Sequence, residues 1–252
     1  PVLVDFLETM YDLGRSKGHC CRVPHALRWA EPGLGPSVRS CLPRTHALLA
    51  GWDKLEPGSS RPPLPRVVAV AIATKLCQDG FGMEGLAVLT MFHTYMRPSE
   101  MVDLRCFQLV RGDPKGEGHL QDFTFVLHAH ELGTPSKTGL RDCCIPLDLE
   151  EHRWIAALWD LYARFTVHAG SARVFSFSYK HLLTVFKETA AELGVQSLEP
   201  TLHCLRHGGA SWDFATKVRD LDGIQKRGMW KSPSSVARYA KPGRIGMQLS
   251  KI

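Results

Sequence analysis

The chain has 252 residues, a formal net charge of +6, 44% hydrophobic residues and 22% charged residues. This composition is ordinary for a folded domain and excludes intrinsic disorder, a collagen-like repeat and an acidic tail. The longest apolar run, 67–73, is shorter than the ~18 residues that a membrane span needs. The length fits one large domain, or a domain of about 150–200 residues plus a smaller piece.

Eight cysteines include two adjacent pairs, and no C-x-x-C motif suggests a zinc site. Because no secretory signal precedes them, we expect reduced, mostly buried thiols inside a cell, and neither a metal nor another cofactor. The chain begins with Pro1 rather than Met, which indicates a processed protein or a piece of a longer one.

Residues 1–65 differ from the rest because they contain nine of the sixteen prolines. Apolar spacing predicts helices over 2–13 and 45–53, and the Arg-Pro-Pro-Leu-Pro run at 61–65 predicts a stiff extended connector. We therefore expect residues 1–65 to be part of an N-terminal helical domain with a linker, and residues 66–252 to form a second domain.

From residue 66 the pattern predicts mostly helices and one small antiparallel sheet. Alternating apolar residues predict a strand over 123–130, and the turn residues over 132–139 predict that 141–147 is its return strand. A strongly apolar segment at 83–95 predicts a buried helix. Ser232 followed by Pro233 predicts a helix start, and we expect that helix to run to about residue 240. Further helices are predicted over 67–78, 99–104, 149–165, 179–193, 201–216 and 221–229.

Amphipathic spacing predicts which side of one helix is buried. In the helix over 149–165, we expect Ile155, Leu158, Leu161 and Tyr162 to share a face toward the core. In the helix over 201–216, the glycine pair 208–209 costs helix stability, and a close approach to another helix or to DNA would explain it.

Six residues along this second domain form an ordered set. Arg97 lies in an Arg-Pro-Ser-Glu segment, and Lys137 lies in a Ser-Lys-Thr-Gly turn between the two predicted strands. His203 and Arg206 are three residues apart on a helix and therefore share a face. The set, in chain order, is Arg97, Lys137, His203, Arg206, Trp230 and Tyr239.

This ordered set resembles the tyrosine recombinases of the phage-integrase type. Their pattern is an Arg in an R-x-S-E context, a Lys in a β-hairpin, H-x-x-R, a His or Trp, and a nucleophilic Tyr about nine residues later. The resemblance spans about residues 66–245, and the segments 206–210 and 228–232 are similar to recombinases of the DIRS-like and Crypton mobile elements. It implies the tyrosine recombinase catalytic-domain fold, mainly α with a small antiparallel sheet, over residues 66–252.

The resemblance implies a DNA recombinase or integrase that works without metal or ATP. Tyr239 would attack a DNA phosphodiester and form a 3′-phosphotyrosine. Arg97 and Arg206 would bind the non-bridging oxygens. His203 would bind the same oxygens or take the tyrosine proton, Lys137 would protonate the leaving 5′-oxygen, and Trp230 would donate an indole hydrogen bond.

Other residues have supporting roles in this interpretation. Glu100 would orient the basic residues, or would be a first-turn acid favoured by the helix dipole. His207 is interpreted as structural.

Double-stranded DNA is the expected partner, with a homotetramer on the DNA, no membrane contact and, if the host is eukaryotic, a nuclear location. DNA contacts are expected from Lys226, Arg227, Lys231, Arg238 and Lys241.

Each residue of the set also has an ordinary explanation when it is taken alone. Arg97 would cap a helix, Lys137 would be a solvated turn residue, and Trp230 and Tyr239 would be packing aromatics. Three functions compete with the recombinase: a type IB topoisomerase that relaxes supercoils by the same chemistry, an inactive DNA-binding relative, and a scaffold domain without affinity for DNA.

Overall fold

The computed structural model describes residues 2–34, 37–56, 61–133, 135–136, 139–166, 170–237, 239 and 242–252. The chain divides into two compact units, Pro1–Ser60 and Arg61–Ile252. In the described part of the chain, no helix is both long enough and apolar enough to cross a membrane. Three of the predicted site residues, Lys137, Arg238 and Lys241, fall outside the described residues.

The first unit is helical and has a small core made by Leu7, Cys20 and Trp52. Tyr11 packs edge-on against Trp52, with ring centroids 5.1 Å apart. The two predicted helices are confirmed, the second with a longer extent, and three short helices lie between them. None of the three was predicted; two of them have only four residues each, too few to show an apolar period, whereas the nine-residue helix between those two is amphipathic and was missed. The helices are α1 (Val2–Asp12), α2 (Lys17–Cys20), α3 (Arg22–Ala30), α4 (Val38–Cys41) and α5 (Pro43–Leu55).

The second unit is built around a helix that is buried on all sides. Every residue from Gly85 to Thr94 of this helix, α7, is buried, as its apolar sequence predicts. It packs against both α6 and α11. The helices of this unit are α6 (Arg66–Gln78), α7 (Gly82–Thr94), α8 (Pro98–Val102), α9 (Arg153–Thr166), α10 (Tyr179–Glu192), α11 (Leu202–Ala215), α12 (Leu221–Arg227), α13 (Pro233–Val236) and α14 (Pro242–Leu249).

The glycine pair of α11 allows two close approaches. A Cβ on Gly209 would lie 1.8 Å from the carbonyl oxygen of Phe92 in α7, and a Cβ on Gly208 would lie 2.2 Å from the carbonyl oxygen of Leu64. The Leu64 N–H donates to the Cys204 carbonyl oxygen at 3.1 Å, so the proline-rich segment is fastened to α11. The expected close approach is therefore confirmed, with protein backbone as the neighbour in both cases.

The sheet has three antiparallel strands in the order β1–β2–β3. Residue Phe125 of the central strand pairs with Leu109 on one side and Ile145 on the other. The two predicted strands exist but are shorter than predicted, and the two-residue first strand was not predicted. The chain leaves the central strand at His128, which has a left-handed backbone (φ +52°). The strands are β1 (Leu109–Val110), β2 (Thr124–Leu127) and β3 (Cys143–Pro146).

The predicted buried face of α9 was wrong in part. Ile155 is buried as expected, but Leu158 and Leu161 are 46% and 53% exposed. Trp159 faces the core instead, where its indole N–H donates to Thr90 Oγ1 at 2.9 Å. The larger aromatic ring packs on the phenylalanines of the sheet, so the helix is rotated to bury it.

The end of the chain also differs from the prediction. The helix that begins after Ser232 ends at Val236, not near residue 240, and Pro242 begins another helix where we expected an end. A proline fits the first helical position because its φ is already helical and its missing N–H is not needed there. The last helix, α14, packs on α11 of the same chain and buries Ile245.

Candidate active site

The turn between α7 and α8 positions Arg97. Pro98 begins α8, and the carboxylate of Glu100 accepts hydrogen bonds from the Arg97 backbone N–H, at 2.7 Å, and from the Arg97 guanidinium. Nε2 of His128 lies 3.2 Å from the same carboxylate. The Glu100 carboxylate thus caps the start of α8 and pairs with the Arg97 guanidinium.

Arg206 is a buried cation in the middle of α11, with 4% of its surface exposed. Its guanidinium donates to the carbonyl oxygens of Tyr95 and Gly228. Burial and the charge of Arg97 together lower the pKa of Arg206 to about 10, although Glu100 and the Tyr239 hydroxyl act to raise it. The group stays charged at neutral pH and is held rigidly.

Trp230 and Tyr239 cover this guanidinium. The Arg206 guanidinium carbon lies 4.3 Å from the Trp230 ring centroid, a cation–π contact. The Trp230 and Tyr239 ring centroids are 4.6 Å apart, and the His207 ring centroid lies 4.8 Å from that of Tyr239. Tyr239 is only 7% exposed. The structure thus brings Arg206, Trp230 and Tyr239 into one contact group.

His203 lies one turn before Arg206 and is half-buried. Burial lowers the pKa of its imidazole. The positive charges of Arg61, Arg206 and Arg97 lower this pKa further. The imidazole is therefore neutral at pH 7, and its neighbourhood is strongly cationic.

Arg61 belongs to this neighbourhood and was not among the predicted site residues. It lies at the start of the proline-rich segment, which the backbone hydrogen bond between Leu64 and Cys204 fastens to α11. The available sequence signals were a cation in a stiff segment and Gly208 in a helix interior. Neither signal says that the two segments meet.

Positive charge is in excess around His203 and Arg206. The groups that act on His203 and Arg206 include three arginines, whereas Glu100 is the carboxylate among them and is already bonded to Arg97. An anion with several oxygens would neutralise this excess, and planar guanidinium groups bind phosphate oxygens well.

Comparison with known proteins identifies the fold. No family model and no curated protein matches the chain. Among solved structures, the XerA recombinase is similar over 99% of this chain and 89% of its own, with a TM-score of 0.53 and 16% identity. The chain has the tyrosine recombinase fold. The XerH site-specific recombinase, solved with its difH substrate before cleavage, is similar over 81% of this chain and 62% of its own, with a TM-score of 0.50 and 15% identity.

Within the tyrosine recombinase fold, the predicted DNA-contacting residues have different surroundings. Lys226 and Lys231 are exposed, and Lys226 Nζ lies 2.6 Å from an Asp222 carboxylate oxygen. Arg227 was predicted to contact DNA but is buried. Its guanidinium donates to the carbonyl oxygens of His93 and Pro146 and lies 3.4 Å from Asp148 Oδ1. Its donors are engaged inside the protein, which corrects that prediction.

A buried ion network surrounds Arg227. The Arg219 guanidinium donates to Asp148 and lies 3.3 Å from Asp213 Oδ2, and the Tyr95 hydroxyl donates to Asp213. Burial raises the pKa of Asp213. Burial also acts to raise the pKa of Asp148, but the hydrogen bond from Arg219 and the charge of Arg227 lower it overall. Each arginine of this network has a carboxylate partner.

Proposed function

We propose that this chain is a DNA recombinase that cuts and rejoins strands through Tyr239. The contact group of Arg206, Trp230 and Tyr239, in a setting with excess positive charge, is the observation that carries the proposal. A phenol beside a fixed guanidinium is suited to attack a phosphodiester whose charge the guanidinium neutralises. The tyrosine recombinase fold supports the same assignment.

The proposed step is a transesterification. The Tyr239 oxygen attacks phosphorus and forms a new P–O bond, while the bond from phosphorus to the 5′-oxygen breaks. Arg97 and Arg206 bind the non-bridging oxygens, where negative charge increases in the five-coordinate transition state. The phosphotyrosyl bond conserves the energy of the broken phosphodiester, so the 5′-hydroxyl of another strand can reverse the reaction without ATP or a metal.

Two protons move in this step. The phenol must lose one, and the neutral imidazole of His203, one turn before Arg206 on α11, is proposed as its acceptor. The leaving 5′-oxygen must gain one, and Lys137 is proposed as the donor from the family resemblance, because it lies outside the described residues. Trp230 holds Arg206 and supplies an indole N–H to a phosphate oxygen.

The proposed substrate is double-stranded DNA. The similar XerH structure holds a DNA substrate, which supports this choice. The exposed Lys226 and Lys231 are proposed to contact phosphates, together with Arg238 and Lys241. A homotetramer on DNA, an integrase role, a mobile-element origin and a nuclear location rest on the family resemblance alone. The division into a partial N-terminal domain and a catalytic domain from residue 66 is part of the same proposal.

A trapping experiment tests the proposal. The substrate is a pool of duplexes with randomised sequence around one bridging phosphorothiolate, whose sulfur leaves and prevents religation. We expect an SDS-resistant protein–DNA complex with the wild type and none with Tyr239→Phe. Tyr179→Phe is the matched control, because Tyr179 is an exposed tyrosine of the same unit. An equal amount of complex with Tyr239→Phe would contradict the mechanism.

Plasmid assays separate the recombinase from a topoisomerase. A recombinase joins two sites selected from the trapped pool, and a type IB topoisomerase relaxes supercoils without joining them. An inactive relative would bind duplex DNA with an affinity that falls as salt rises, but would form no complex in the trapping experiment.

A further inference from the structure

A second cluster of reactive side chains lies outside the candidate active site. His93 is near the end of α7, and Glu151 and His152 lie in the single turn of helix just before α9. One potential ligand atom from each of the three side chains lies within 4.8 Å of the others. The His93 and His152 rings are in edge contact, with centroids 4.9 Å apart.

Two atoms of this cluster are buried without a hydrogen-bond partner. They are Oε1 of Glu151 and Nε2 of His152, and the His152 side chain is only 1% exposed. The other carboxylate oxygen of Glu151 is engaged, 2.9 Å from an Arg66 nitrogen. A buried polar atom without a partner destabilises the fold, so a bound species that satisfies both atoms is favoured.

We propose that His93, Glu151 and His152 bind one divalent transition-metal ion of the zinc class. Two imidazoles and one carboxylate form a common ligand set for such ions, and a water molecule would complete a tetrahedron. Because the set contains no thiolate and Arg66 and Arg227 lie nearby, we expect weaker binding than at a cysteine-rich zinc site.

The surroundings of His152 offer a carboxylate behind the ring, but they also hold a backbone hydrogen bond that metal binding would break. Its Nδ1 accepts from the Leu149 N–H at 3.3 Å and lies 3.7 Å from Asp148 Oδ1. Nε2 therefore carries the ring proton of the neutral imidazole when no metal is bound. A metal on Nε2 would move that proton to Nδ1, so the Leu149 N–H would lose its acceptor and the Nδ1–H would face the Asp148 carboxylate, 3.7 Å away. A carboxylate behind a metal-bound histidine orients the ring and strengthens the bond.

The proposed ion would stabilise the scaffold of the active site rather than take part in a reaction step. It would connect α7 to the turn before α9. The His93 carbonyl oxygen accepts hydrogen bonds from Arg227. Gly228, which directly follows Arg227 in the chain, accepts a hydrogen bond from Arg206 through its own carbonyl oxygen. Metal binding would therefore raise the unfolding temperature without supplying a catalytic group.

Cobalt titration of the purified full chain tests this proposal. After metal is removed with a chelator, Co²⁺ should bind one to one and give the visible absorption bands of a tetrahedral histidine and carboxylate site. Zn²⁺ should displace it and raise the unfolding temperature. An intense near-ultraviolet thiolate band would place the ion on cysteine and contradict the proposal. No visible bands, together with no thermal shift, would overturn the proposal.

Variants locate the site. His152→Asn keeps an acceptor for the Leu149 N–H but removes Nε2, and it should weaken Co²⁺ binding by roughly 100-fold or more. His119→Asn is the matched control, because His119 is exposed and pairs with Asp122 at 2.8 Å, and it should bind like the wild type. If His152→Asn does not fold, Glu151→Gln replaces it. Unchanged binding in the folded variant would overturn the assignment. None of these readouts uses DNA, so they stand or fall separately from the recombinase proposal.

Discussion

Arg206 and Arg227 are both buried arginines of one unit, but their surroundings differ. Arg206 donates to carbonyl oxygens, and the carboxylate in its neighbourhood, Glu100, is already bonded to Arg97. Arg227 also donates to carbonyl oxygens but has Asp148 beside it. Charge that the protein neutralises itself is structural, and charge that it leaves in excess is available to a phosphate. We infer that this difference separates active site from scaffold.

The largest expected effect is on the reaction rate, when Arg206, whose charge no free carboxylate of the described residues neutralises, is replaced. Arg206→Lys keeps the charge but cannot offer two parallel donors to phosphate oxygens. We expect the rate of covalent complex formation to fall by roughly 10³-fold, which corresponds to about 4 kcal/mol of transition-state stabilisation. Single-turnover trapping measures this rate. A loss of less than tenfold in the folded variant would contradict the role of Arg206.

Replacement of Arg227, whose charge Asp148 neutralises, should lower the stability of the fold. Arg227→Met leaves buried carbonyl oxygens unpaired and deprives Asp148 of a cation, so the free energy of unfolding should fall by about 3 kcal/mol. Urea denaturation measures it. Lys231→Met is the control, since Lys231 is an exposed cation close by in sequence, and it should leave stability within about 0.5 kcal/mol of the wild type. Equal effects from both variants would remove the distinction.

Helix α11 belongs to both regions, because it carries Arg206 and Asp213. Gly209→Ala would force α11 away from α7 at the Phe92 carbonyl, and we expect a loss of about 1–3 kcal/mol of stability together with slower trapping. Gly246→Ala in α14 is the matched control, because a Cβ there meets nothing within 4 Å. That control should stabilise the protein slightly. If Gly209→Ala left stability unchanged, α11 and α7 would have to separate at little cost, which contradicts this prediction.

The smallest effect concerns the pH dependence of stability. The pKa of His203 is lowered in the folded state, so the unfolded chain takes up a proton first as pH falls below about 6.5. The stability that depends on a neutral His203 is therefore fully present above pH 6.5, and it is lost as pH falls toward the folded-state pKa. His203→Gln should lose less stability between pH 7.5 and 5.5 than the wild type does. An identical loss would argue against the cationic surroundings.

Local patterns in the sequence predicted much of the fold. The buried helix α7 is largely apolar, and the central strand β2 alternates, so their burial is encoded within each segment. The orientation of α9 was not predicted, because it depends on the fit of Trp159 to rings on the sheet. The chain end was mispredicted because Pro242 begins a helix as readily as it follows one.

The candidate site was predicted from the order of residues, but the partners of each residue were not. Arg206 and Arg227 are both arginines of predicted helices, and what distinguishes their roles is the distant backbone carbonyls and carboxylates around them. One local signal was available for Arg227: Ile224, three residues earlier in α12, is buried, so the two share the inner face. Arg61 had no comparable signal, because its position depends on where the proline-rich segment crosses α11.

The proposed attachment of DNA to Tyr239 is best tested by identifying the amino acid that carries the DNA. The trapped wild-type complex is digested with nuclease and protease, and mass spectrometry locates the nucleotide adduct. We expect a single adduct on the phenolic oxygen of Tyr239, linked to a DNA 3′-phosphate. An adduct on any other residue, or a linkage to a 5′-phosphate, would contradict it.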